Sequence, residues 1–112
     1  MMGIDRKKSI LDLLHHEPHS SFLLFALAKE HEADHNIPEA IHTYEKLLLL
    51  DPYYTGAYYH LGKQYELRLE IKNAIETYEK GISICLKQKA LHDANELRGA
   101  LELISMEDPD RV

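Results

Sequence analysis

A seven-residue segment occurs twice in this chain of 112 residues. The sequence AIHTYEK at residues 40–46 returns as AIETYEK at residues 74–80, an offset of 74 − 40 = 34 residues. A fixed offset of this length is typical of an array of helical hairpins, in which each unit stacks on the next. The repeat therefore predicts an all-α architecture with about two complete units.

The composition fits one small helical domain. Hydrophobic residues make up 45% of the chain, and it contains only 5 Gly and 4 Pro. The net charge of −6 disfavours a phosphate backbone, so we expect no nucleic-acid partner. No apolar segment approaches membrane-spanning length and no signal peptide is evident, so we expect a cytoplasmic protein without membrane contact. The single cysteine, Cys85, excludes an internal disulfide.

Apolar residues recur at helical spacing in six segments, and no segment has the alternation of a strand. Asp5 and Ser20 are placed to cap two of the helices, and Asp51-Pro52 ends another. The predicted helices are residues 5–16, 20–34, 38–50, 55–69, 72–87 and 89–105. The polar segment 107–112 is expected to fray.

In the two repeated units, the residues resemble the tetratricopeptide repeat family. That family places a large apolar residue, Leu, a small residue and an aromatic in its first helix, then Ala, an aromatic, a small residue and Pro in its second. Residues 21–54 offer Leu24, Leu27, Ala28, His31, Ala40, Tyr44, Leu47 and Pro52. Residues 55–88 offer Tyr58, Leu61, Gly62, Tyr65, Ala74, Tyr78, Gly81 and Leu86. His31, Leu47 and Leu86 depart from the pattern, and without the terminal proline the second unit's second helix is expected to reach Lys87.

The resemblance implies a right-handed α-α superhelix of antiparallel hairpins. It divides a single domain, residues 1–106, into an N-terminal half-repeat (5–18), repeats at 21–54 and 55–88, and a closing helix (89–105). A single helical hairpin exposes two apolar sides, and stacking covers them. Small residues such as Gly62 are expected to let the paired helices approach closely.

The resemblance also implies that the first helix of each repeat lines a concave binding surface. The residues expected on it are Phe22, Phe25, Lys29, Glu32 and Ala33, then Gly56, Tyr59, Lys63, Glu66 and Leu67, then Ala90, Asp93, Leu97 and Arg98 of the closing helix. Phe25 and Tyr59 beside paired lysines suit a peptide or helix with an apolar anchor and an acidic group. The alternative is that Lys29 and Lys63 are solvated surface residues.

Residues 31–35 match the zinc-binding pattern H-E-x-x-H, in which the glutamate is the general base. His31 lies on the predicted buried face and His35 in a turn, and Ile41 stands where the extended motif has a third ligand. A zinc-dependent hydrolase is therefore a remote alternative, and we expect no catalytic residue, metal or cofactor. A separate cluster, His15, His16 and His19, indicates a pH-sensitive surface or adventitious metal binding.

The sequence thus predicts a non-catalytic protein–protein interaction module that binds a peptide or helix of another protein in a concave groove. The alternative in a different class is a homo-oligomeric building block, of which a homodimer is the simplest. In that case the closing helix or the edge formed by Tyr53 and Tyr54 would pair the chains.

Overall fold

The computed structural model describes residues 5–106, in which six α-helices and no strand are present. The helices are α1 (Arg6–His16), α2 (Ser21–Ala33), α3 (Ile37–Leu50), α4 (Gly56–Leu67), α5 (Ile71–Gln88) and α6 (Leu91–Ser105). The all-α prediction is confirmed. The expected frayed tail, residues 107–112, lies outside the described residues, as does the start of the predicted domain, residues 1–4. Within the described range, no helix is both long and apolar enough to cross a bilayer.

Helix starts follow the local capping chemistry. The Asp5 carboxylate accepts a hydrogen bond from the backbone N–H of Lys8 at 3.2 Å, and the Ser20 hydroxyl accepts one from Leu23 N–H at 3.2 Å. Each bond satisfies a backbone donor that has no partner within the first helical turn. Both predicted caps are confirmed.

Three of the turns depend on a residue in the left-handed backbone region. His35, Leu69 and Lys89 have φ of 57°, 63° and 57°, and none of them is glycine. In each turn the following amide reaches back to close the end of the helix; for example, Glu70 N–H bonds to the Tyr65 carbonyl at 2.9 Å. The chain therefore reverses tightly, which sets consecutive helices antiparallel.

The helices form two layers, with α1, α3 and α5 in one and α2, α4 and α6 in the other. Helices α2 and α3 make the first hairpin, α4 and α5 the second, and α1 and α6 cover their free sides. The array is elongated, 50 × 29 × 22 Å. Its core contains these large, fully buried side chains: Tyr44, Leu47, Tyr58, Tyr78, Cys85, Leu97 and Ile104.

Close packing in the second hairpin requires Gly62. A Cβ at this position would lie 2.1 Å from Cε1 of the Tyr78 ring, which is fully buried. The predicted close approach at Gly62 is therefore confirmed. Cys85, in the same hairpin, has no exposed surface, and burial together with the charge of Asp93 raises the pKa of its thiol.

Helix α5 is longer than its counterpart in the first repeat, with 18 residues against 14 in α3. Pro52 follows α3, but Leu86 occupies the equivalent position and keeps its backbone N–H, so α5 continues to Gln88. The buried face of α6 consequently follows that of α4 at an offset of 36 residues, from Leu61 to Leu97 (97 − 61 = 36). This two-residue shift decides which residues of α6 reach the surface.

Candidate functional site

The surface formed by α2, α4 and α6 carries two equivalent lysine–aromatic pairs. The Lys29 Nζ lies 5.9 Å from the centroid of the Phe25 ring, and the Lys63 Nζ lies 5.5 Å from that of Tyr59. The members of the two pairs are 34 residues apart, and each pair has the geometry of a cation–π contact. The structure thus places these four predicted residues together in pairs.

The junction between α2 and α4 is filled by aromatic rings. The Phe25 ring lies 5.2 Å from the Tyr54 ring and 5.5 Å from His60, centroid to centroid. His60 in turn stacks on Tyr44 at 5.9 Å and meets Tyr59 edge-on at 5.8 Å. Phe25 is therefore half-buried within the protein itself, which leaves little room for a ligand between these two helices.

Glu32 and Glu66 are held by tyrosines of the core. The Tyr44 hydroxyl donates a hydrogen bond to Glu32, and the Tyr78 hydroxyl donates one to Glu66. His60 Nδ1 also lies 3.1 Å from Glu32. Burial opposes ionisation of Glu32, but the hydrogen bonds from His60 and Tyr44 outweigh it and hold the pKa of this carboxyl below its ordinary value. Both glutamates thus have a structural partner, which the sequence analysis missed.

An open groove lies between α4 and α6, with a volume of about 460 Å³. Its lining residues are Tyr59, Lys63, Asn95, Glu96, Gly99, Ala100, Glu102 and Leu103. Leu103 is 67% exposed, and a Cβ at Gly99 would have no atom within 4 Å. The groove therefore offers an exposed aliphatic side chain and a stretch of accessible helix beside the Tyr59–Lys63 pair.

The prediction that Leu97 lies in the groove is wrong. Its side chain is 0% exposed and packs in the core, because the longer α5 rotates the faces of α6 relative to the 34-residue spacing. Asp93 is half-buried and accepts a hydrogen bond from the Thr55 hydroxyl at 2.6 Å. Asn95 and Gly99 follow Tyr59 and Lys63 at an offset of 36 residues. These two residues of α6 line the groove in place of Leu97 and Asp93.

The other predicted residues lie at the margins. Phe22 is 70% exposed in the first turn of α2. Ala33 and Leu67 are exposed at the ends of α2 and α4, Gly56 is half-buried at the start of α4, and Ala90 caps α6. Arg98 is exposed and donates to the Asn95 side chain at 3.3 Å. None of these six residues lines the groove between α4 and α6.

The H-E-x-x-H segment has no arrangement of ligands for zinc. His31 is half-buried in α2, Glu32 is bound to Tyr44, and His35 occupies a left-handed turn. Within residues 5–106, one cluster brings three potential ligand atoms together, and it consists of His92, Asp93 and Glu96 on α6. His31 and His35 do not belong to it, so the geometry gives the zinc-hydrolase reading no support.

Comparison with solved structures identifies the family. A tetratricopeptide repeat domain protein from Salinibacter ruber, with a solution structure, is 36% identical to this chain. The two structures align over 82% of this chain and 93% of the Salinibacter chain, with a TM-score of 0.78. The chain belongs to the tetratricopeptide repeat family. A crystal structure of a tetratricopeptide repeat domain protein from Salinibacter ruber, also 36% identical, covers 80% of this chain and 100% of its own, with a TM-score of 0.75. No protein-family model and no curated protein matches the sequence.

A more distant tetratricopeptide-like neighbour shares the fold alone. The type III secretion translocator chaperone SycD from Yersinia enterocolitica is 17% identical and covers 92% of this chain and 72% of its own, with a TM-score of 0.85. Within the tetratricopeptide pattern, the missing proline at Leu86 indicated a longer α5, but not how far the longer helix shifts α6. A helix that lacks this proline can continue for further residues, which changes the position of the next helix relative to the 34-residue spacing.

Proposed function

We propose that this tetratricopeptide repeat protein is a non-catalytic interaction module, and that it binds a peptide or helix of another protein in the groove between α4 and α6. The observation that carries the proposal is the contrast between the two junctions of this surface. Aromatic rings fill the one between α2 and α4, whereas the one between α4 and α6 is open. A preformed groove loses little conformational entropy when it binds a partner.

The lining of the groove favours a ligand with an aliphatic or aromatic anchor next to a carboxylate. Tyr59 and Leu103 supply apolar contact surface, and the Lys63 ammonium lies 3.6 Å from Glu66 with its side chain partly exposed. Glu96 and Glu102 on the α6 side favour a basic or amide group at the other edge of the same ligand. The proposed ligand is therefore a short segment of mixed charge around one apolar side chain.

The proposal is tested by affinity capture with the double variant Tyr59→Ala/Lys63→Ala. Loss of the partners that the wild-type protein retains is expected, with unchanged helical content by circular dichroism. A matched control is Leu86→Ala/Lys87→Ala, which removes an exposed apolar side chain and an exposed lysine outside the groove. Retention of every partner by the groove variant would contradict the proposal.

A second candidate is self-association through the end of α3. Leu49 is 84% exposed, and Leu50 and Tyr53 nearby are also exposed. Adjacent exposed apolar side chains are typical of an interaction surface. Sedimentation over a range of concentrations tests this candidate: a dimer that dissociates in Leu49→Ser/Tyr53→Ser supports it, and a monomer at the highest concentration removes it.

A further inference from the structure

Two grooves that repeat one another open on the opposite face, in the layer of α1, α3 and α5. The first lies between α1 and α3 and has a volume of about 590 Å³; the second lies between α3 and α5, with about 570 Å³. The second is lined by Glu45, Leu48, Leu49, Pro52, Tyr58, Leu61, Thr77 and Lys80. Each of these follows by 34 residues a residue of the first: Leu11, Leu14, His15, Pro18, Leu24, Leu27, Thr43 and Lys46. The repeat has thus produced the same groove twice.

The two copies differ most in their histidines. The first is also lined by His31, Glu39 and His42, and it has His15 where the second has Leu49. We call the first the histidine groove (Leu11, Leu14, His15, Pro18, Leu24, Leu27, His31, Glu39, His42, Thr43 and Lys46) and the second the leucine groove. The histidine groove has three imidazoles and the leucine groove has none, so the charges of the two grooves respond differently to acid.

The histidine groove also contains a polar atom without a partner. In the leucine groove the Tyr65 hydroxyl donates to the Glu45 carboxylate. The residues 34 positions earlier are His31 and Leu11, and a leucine side chain cannot accept a hydrogen bond. The Nδ1 of His31 is accordingly buried with no hydrogen-bond partner among the described residues. A buried ring nitrogen without a hydrogen-bond partner lowers the stability of the fold, and the leucine groove has no equivalent of it.

The charges around the histidine groove favour an anionic ligand. Lys46 on α3 forms no ion pair within residues 5–106, and His15 and His42 are exposed on α1 and α3. The opposing charge in the lining is Glu39 on α3. Near His31, the Lys7 ammonium of α1 is already paired with Asp34 of α2. Protonation of the imidazoles therefore makes the groove cationic, although the chain as a whole is acidic.

We propose that the histidine groove is a second docking surface, for an amphipathic helix of a partner protein that carries aliphatic side chains beside carboxylates, and that it binds more tightly as the pH falls. The apolar floor of Leu14, Leu24 and Leu27 takes the aliphatic side chains. The carboxylates face Lys46 and the imidazoles. The leucine groove balances Lys80 with Glu45 and has no histidine, so it binds the same helix weakly and without pH dependence.

The direction of the pH effect follows from the charge of imidazole. A free carboxylate stays ionised above about pH 5, whereas histidine gains its proton near pH 6.5. Between about pH 8 and pH 6 the partner keeps its charge and the groove gains positive charge, so affinity rises. Burial, together with the charge of Lys7, lowers the pKa of His31, so this imidazole gains its proton at a lower pH than an ordinary histidine. His15 and His42 are the two exposed imidazoles of the groove.

The test uses the full chain labelled with ¹⁵N and a synthetic helical peptide with Leu and Glu along one face. Amide shifts are followed at pH 6.0 and pH 8.0 at one ionic strength, with a matched peptide in which every Glu is Gln. We expect shifts around the histidine groove and an affinity for the Glu peptide at least about threefold higher at pH 6.0. We expect no such difference for the Gln peptide.

Variants at exposed positions separate the proposal from a loss of folding. His15→Gln/His42→Gln should abolish the pH difference, and Lys46→Glu should weaken binding at both pH values. The matched controls are His92→Gln and Lys87→Glu, which lie outside both grooves, and both should bind as wild type. Equal binding of the Gln peptide, a persisting pH difference in the histidine variant, shifts confined to another surface, or no shifts at about 1 mM peptide would each overturn the proposal.

Discussion

The hydroxyl of Tyr78 donates a hydrogen bond to the carboxylate of Glu66, across the two helices of one hairpin. Tyr44 and Glu32 form the same bond in the other hairpin, each 34 residues earlier. Both tyrosines are fully buried, whereas both glutamates lie at the surface of the first-helix layer. The bond therefore connects the core of each repeat to the face on which we propose that a partner binds.

Loss of the Tyr78 hydroxyl should destabilise the fold. Tyr78→Phe removes one hydrogen bond to a charged acceptor without changing the packed ring, so we expect the free energy of unfolding to fall by about 1–2 kcal/mol. Urea denaturation measures the change. Tyr53→Phe is the control, since Tyr53 is 55% exposed, and it should alter stability by less than about 0.5 kcal/mol. Equal effects of the two variants would show that the buried bond contributes nothing.

Gly62→Ala and Gly99→Ala should change stability in opposite directions. A methyl group at Gly62 meets the buried Tyr78 ring, and we expect a loss of about 1–3 kcal/mol or more. A methyl group at Gly99 meets no atom within 4 Å, and alanine favours the helix over glycine by about 1 kcal/mol. Thermal melts of the two variants beside wild type decide the matter, and a stable Gly62→Ala would mean that α4 and α5 pack less closely than described.

Glu32 should contribute stability that disappears in acid. Its pKa in the folded state is lowered from the ordinary 4.5, so its contribution is present above that value and is lost as the pH falls through the folded pKa. We expect wild type to be more stable than Glu32→Gln near neutral pH, and the gap between them to close in acid. Urea titrations from about pH 7 to about pH 3 test this, and a constant gap would contradict it.

Leu69→Gly should stabilise the protein. Leu69 has φ of 63° and is 83% exposed, so the substitution relieves a strained backbone and removes almost no packing. The expected gain is about 1 kcal/mol, because a left-handed residue with a Cβ is strained by about 1–2 kcal/mol. Glu76→Gly, at an exposed position inside α5, should instead lose about 1 kcal/mol. If both variants lose stability, the strain at Leu69 is absent.

Most of the fold could be predicted because the local signals agreed with the period. Asp5 and Ser20 capped the helices where they were expected to, and the repeated tyrosines occupied equivalent buried sites. The phase of α6 could not be predicted from the 34-residue spacing. Leu86 permits a longer α5, and how far such a helix continues depends on tertiary packing beyond any local stop signal.

The candidate site was predicted less completely, for a related reason. Helical spacing indicates which side of a helix a residue occupies, and it placed Lys29 and Lys63 beside their aromatic rings. It does not indicate what the neighbouring helix supplies. Phe25 was expected to be open to a ligand, but His60 and Tyr54 from the next segment pack against it. Such contacts between repeats depend on side-chain reach and not on period.

The rate at which the Cys85 thiol is chemically modified measures how often the packing around α5 opens. Cys85 carries the one thiol in the chain, and its side chain has no exposed surface. A reagent that modifies thiols can reach it only after α6 lifts away from α5 or the whole chain unfolds. Among the described residues, α6 packs mainly against α5 and α4, so modification faster than global unfolding would show that α6 detaches by itself.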